Sequence, residues 1–167
     1  MFEVFAHTAD LGLRIRAGDL PTLFAEAGKA LFSVLVENLE AIACRETHPL
    51  TLENDNLEYL FFDWLDQLLY LFDAQKLVLA DFQVTITGGE MANHVQGGRP
   101  AEGSSDAGKA NAPCWRLEAI CRGEKLDRQR HILDHEVKAI TYHGLKVEKA
   151  EGGWLAEVVV DLSLIHI

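Results

Sequence analysis

Two aspartates carry the strongest chemical signal in the chain. Asp161 closes the apolar run of "WLAEVVVD", at a point where a strand of this pattern would ordinarily stay apolar. Asp10 lies in "HTADLG", three residues after His7, where a first strand gives way to turn residues. A carboxylate that finishes an apolar run must reach water, pair with a cation or bind a metal. Water or a lysine partner is the simpler outcome. The sharper one is a hard cation such as Ca²⁺ or Mg²⁺, which takes oxygen ligands gathered from separate segments and would be held by Asp10, Asp161 and backbone carbonyls. Lys138 shares a strand face with Glu136, Ile140 and Tyr142 and supplies the nearest candidate counter-charge.

Other polar spacings carry less. His131 and His135 stand four apart, but the glutamate of a zinc-protease motif is missing between them, so they read as polar residues of a charged loop and strand. The three cysteines, Cys44, Cys114 and Cys121, are odd in number and form no Cys-x-x-Cys pair. They point to reduced structural thiols, with Cys121 in the core. The chain contains no phosphate-loop motif, no Gly-x-Gly-x-x-Gly after a strand and no Gly-x-Ser-x-Gly elbow.

The elements that must position these residues follow from periodicity. From Phe2 to Ala17 the sequence reads as two short strands separated by "HTADLG". Asp19-Leu20-Pro21 opens a helix whose apolar residues, among them Phe24, Ala27, Leu31 and Leu35, recur at three- and four-residue steps. "RETHPLTLEN" suits an edge strand, because Pro49 lacks the N–H a central strand needs. A second helix is expected over about 54–73, capped by Asn54 or Asp55. Its wide apolar stripe makes it the more deeply buried of the two. Phe82, Val84 and Ile86 alternate along a strand, and Trp115 to Cys121 forms the returning one. A charged connection then leads to a strand from about Asp134 to His143. A closing hairpin turns at Glu151-Gly152-Gly153. Residues 88–113 hold many glycines and few bulky apolar side chains, so a flexible insertion is expected within one domain spanning 1–167. The fold class is α+β, a mostly antiparallel β-sheet layer covered by two α-helices.

Charge narrows the function. With 15 Lys and Arg against 26 Asp and Glu, the formal net charge is −11, which excludes a uniformly basic nucleic-acid or membrane surface. No apolar run is long enough to span a membrane, and the opening segment has neither the basic start nor the apolar stretch of an export signal. A cytoplasmic location is therefore expected.

"HTADLGLRI", "WLDQLLYLFD", "RGEKLD", "EVKAITYHGLKV" and "WLAEVVVD" together resemble the archease family, in the family's order and over nearly the whole chain outside the glycine-rich stretch. The resemblance implies an archease-like α+β fold. It also implies a protein cofactor, rather than an enzyme, that activates an RtcB-type RNA ligase in tRNA splicing and promotes its guanylylation and multiple turnover. It implies a Ca²⁺-type ion held by Asp10, Asp161 and the main chain of Leu162, with Lys138 as a further functional polar residue. His7 and Glu124 match motif positions without an assigned ligand role. The chain continues past Asp161 as "LSLIHI", so Leu162 offers a peptide carbonyl instead of a terminal carboxylate, and weaker ion affinity is expected. An acidic cofactor of this kind would dock on a basic ligase surface, with no stable nucleic-acid binding of its own and no membrane association. The alternatives are a metal-dependent hydrolase centred on Asp10 and Asp161, and a chaperone-like module that offers a strand edge to unfolded chains.

Overall fold

The computed structural model describes residues 1–7, 10–88 and 114–163. Beyond Gly88, the stretch expected to form a flexible insertion lies outside the described residues.

Among the described residues ten main elements follow in order. They are β1 (Phe2–His7), β2 (Asp10–Ala17), α1 (Leu20–Leu35), β3 (Glu46–Asn54), α2 (Leu57–Gln75), β4 (Leu77–Gly88), β5 (Trp115–Lys125), β6 (Val137–Ile140), β7 (Lys146–Ala150) and β8 (Gly153–Leu162). A short 3₁₀ turn, Leu39–Ala41, lies between α1 and β3. The strands form two antiparallel sheets. One runs β1-β2-β8-β6, with β7 also paired to β8, and the other runs β3-β5-β4. Along one side of β8, β7 pairs with residues 153–157 and β6 with 160–162, while β2 takes the whole opposite side. Pro49 sits on β3, an edge strand as its missing N–H requires.

Helix α1 joins the two sheets, touching β2 and β8 of one and β4 of the other. Its N-terminus is capped by Asp19, whose carboxylate accepts from the Thr22 amide at 2.9 Å, with Pro21 in the first turn. Phe24, Phe32, Phe61 and Trp64 fill the space between helices and sheets. The Trp64 indole N–H donates to the Phe24 carbonyl at 2.8 Å, so a buried donor is satisfied across the two helices. Cys121 is fully buried, as its place in the alternating strand suggests, and burial pushes its thiol up to about 12.

Four expectations need correction. Helix α2 starts at Leu57 with Asn56 as its cap, because β3 extends through Asn54 and the Asn54 side chain instead accepts from the Asn56 amide. The more deeply buried helix is α1, with nine buried residues of 16 against seven of 19 in α2. The reason is position. α1 is covered by two sheets, whereas the widened stripe of α2 leaves Tyr59 and Tyr70 more than half exposed. Strand β6 is only four residues long. Asp134 and His135 donate their amides to the carbonyls of Leu35 and Val34, so they satisfy the open end of α1 rather than extend a strand. Finally, β5 runs on through Lys125, which moves Glu124 from the charged connection onto a strand.

Candidate functional site

The register of the larger sheet sets Asp10 directly opposite Asp161, and Ala139 of β6 opposite Asp161 on its other side. Directly opposed residues project to the same face, with Cβ atoms about 4.5–5.5 Å apart. The face is the outer one, since Ala156, Val158 and Val160 point inward and are essentially inaccessible. Both aspartates are half-buried. Between Val137 and Ala139 the β6–β8 register shifts, which leaves Lys138 as the extra, exposed residue of a bulge beside Asp161. Val137 pairs with Leu162, so the main chain of Leu162 lies at the same strand end. His7 is in backbone register with Asp10 across the β1–β2 turn. Two carboxylates 151 positions apart in the chain thus share one end of one sheet face with a lysine.

Further along that face, the pattern is locked by side chains. A Cβ on Gly12 would meet the Phe5 ring, which occupies that space, and the Arg14 guanidinium lies 4.7 Å from the ring centroid. Arg14 also donates to Glu157 on β8 at 2.6 Å and to Glu3 on β1 at 2.7 Å, tying the three strands together.

A second polar centre was not foreseen. Among the described residues the two buried polar ones are Glu124, 4% exposed, and His131. Its carboxylate accepts from Arg130 at 2.6 Å, the Ala43 amide at 2.8 Å and the His131 Nε2–H at 2.8 Å, with Arg45 at 3.5 Å. The Asp127 amide donates to His131 Nδ1 at 2.9 Å, which fixes the ring as the Nε2–H tautomer. His131 is therefore an enclosed hydrogen-bonding residue, a correction to its reading as a loop polar group. Burial alone would raise Glu124, but the donors from Arg130, Ala43 and His131 outweigh it and hold the carboxyl down to about 2. The available sequence signal was the glycine in "RGEK". A Cβ on Gly123 would strike the Val78 carbonyl, at the register shift between Leu79 and Asp81, so only glycine lets β4 approach here.

Among the described residues no three His, Cys, Asp or Glu side chains gather as a metal cage, and no helix is long and apolar enough to cross a membrane. The fold and these two centres define a small α+β protein with polar chemistry at the ends of its strands. The chain belongs to the archease protein family, whose model matches residues 2–162. It is 34% identical over 161 residues to the protein archease of Methanopyrus kandleri, covering 96% of this chain and 99% of that one. It is also 34% identical over 162 residues to that of Pyrococcus abyssi, covering 96% and 98%. The solution structure of Methanobacterium thermoautotrophicum protein 1598 matches with a TM-score of 0.71 at 24% identity, over 96% of this chain and 98% of that one. The crystal structure of an archease, described as a possible chaperone, from Thermotoga maritima matches with a TM-score of 0.50 at 18% identity, over 98% and 97%.

Proposed function

We propose that this chain is a protein cofactor of an RtcB-type RNA ligase in tRNA splicing, promoting ligase guanylylation and repeated turnover through a cation site at Asp10 and Asp161. The observation that carries the reading is the cross-strand pair Asp10–Asp161 beside the Lys138 bulge, in a chain of the archease family. Like charges directly opposite on antiparallel strands are unfavourable, and a cation between them reverses the sign of that contribution. Among the described residues the donor set is carboxylate and peptide oxygen without a histidine or cysteine cluster, which suits a hard ion such as Ca²⁺. Asp10, Asp161 and the main chain of Leu162 would hold the ion, with water completing its shell. When bound, it would supply a fixed positive charge at the strand ends. Lys138, exposed at the adjoining bulge, would reach an acidic group on a partner.

The test is joining of broken tRNA by a limiting amount of ligase. Wild type is expected to restore turnover, and Asp161→Ala and Lys138→Ala to lose most of that stimulation. Full stimulation by Asp161→Ala would refute the assigned site. Metal-dependent phosphoesterase activity of the isolated protein would favour a hydrolase instead. Suppression of aggregation of unrelated proteins, insensitive to Asp161, would favour a chaperone-like role.

A further inference from the structure

The chain has only 15 basic residues, yet five of them, Arg45, Lys76, Lys125, Arg128 and Arg130, line one open cavity of about 670 Å³. They converge from three segments: Arg45 from the approach to β3, Lys76 from the α2–β4 junction, and the others from the end of β5 and the turn after it. The carboxylates at the cavity are Glu46, Glu124 and Asp127. Glu124 faces inward onto His131 and the Ala43 amide and anchors Arg130, which also reaches Asp127 at 3.4 Å. Lys125 donates to the Gln75 carbonyl. Among the described residues, Lys125 and Arg128 form no ion pair, and Lys76 makes no direct one but lies near enough to Asp73 to favour that carboxylate's charged form.

Five cations against three carboxylates leave a local positive excess on a molecule of net charge −11, and like charges gathered this closely repel one another unless an anion occupies the space between them. Arginine forks approaching from several directions, with lysine point charges, suit the tetrahedral oxygens of a phosphate. No lining residue is aromatic, so nothing stacks on a base or a sugar. The geometry points to this cavity as a binding site for phosphate groups, carried on a nucleotide tail or an RNA backbone. Glu124 positions Arg130 for that role, which gives its buried carboxylate a use beyond stability.

The site is independent of Asp10 and Asp161, and its test is a binding titration on the full chain. Tripolyphosphate, ATP, short oligouridine and oligoglutamate serve as probes. Tripolyphosphate is expected to bind more tightly than about 1 mM at low salt. The double variant Lys76→Glu/Arg128→Glu, whose side chains are exposed, should weaken it by about tenfold or more. Arg116→Glu, at the opposite end of β5, should leave affinity unchanged, as should Asp10→Asn. Tighter binding of oligouridine, falling as salt rises, supports the site with RNA as the source. Equal binding of ATP and tripolyphosphate, with oligouridine weaker, supports it with a nucleotide as the source. Oligoglutamate binding as tightly as tripolyphosphate overturns the proposal, and so does an affinity unaffected by the double variant.

Discussion

Glu124 shows how much one side chain can organise. It is charged, almost wholly enclosed and surrounded by donors from the approach to β3 and from the turn after β5. Replacing it with glutamine removes the charge while keeping the volume, and leaves Arg130 without its closest counter-ion. Glu124→Gln is expected to lower stability at neutral pH by about 1.5–3 kcal/mol, read from urea unfolding. The pH dependence has a definite sign. The folded carboxyl sits at about 2 and the unfolded one near 4.5, so its contribution is complete above 4.5 and is lost as pH falls toward 2. The stability gap between wild type and Glu124→Gln should therefore close across that window. A gap that stays constant down to pH 2 would contradict the pairing.

At the scale of elements, caps and close approaches decide where each segment begins and how near its neighbours lie. Asp19 satisfies the first turn of α1, and Asp19→Ala is expected to cost about 1 kcal/mol by the same unfolding measurement. Gly123 is a harder constraint, since a methyl there meets backbone on β4 instead of a movable side chain. Gly123→Ala should destabilise by about 1–3 kcal/mol and loosen the β4–β5 pairing, seen as faster amide exchange at Val78 and Leu79. Unchanged exchange would show that β4 gives way without penalty. The helices were legible from their 3.6-residue patterns, and the strands from alternation. Their ends were not, because the competition for free amides and carbonyls is tertiary. Nothing local in "HILDHEV" says that Asp134 and His135 cap α1, a partner about one hundred residues earlier.

For the molecule as a whole, the larger sheet sets acidic side chains against each other at one end, while the cleft past the end of β5 gathers basic ones. If a hard cation joins Asp10 to Asp161, Ca²⁺ should raise the melting temperature of the wild type, and a chelator should reverse the shift. Asp10→Asn should abolish the Ca²⁺-dependent shift, because it removes one of the two carboxylates that would hold the ion. A Ca²⁺ shift of full size in Asp10→Asn would remove that aspartate from the site. Phosphate binding at the cleft should persist in that variant, so the two centres are separable by measurement.

The sequence by itself determined the α+β class, both helices, the edge position of β3, the buried Cys121 and the terminal hairpin, since each rests on local periodicity, proline or turn chemistry. It also marked Asp10, Lys138 and Asp161 as polar residues at strand ends. Only the tertiary structure decided that β2 and β8 pair in the register that opposes the two aspartates, because a shift of one residue would turn the new neighbour to the other face. Only the packed chain enclosed His131 with Glu124 and drew five scattered cations to one cleft, since contacts between distant segments leave no periodic trace in the order of residues.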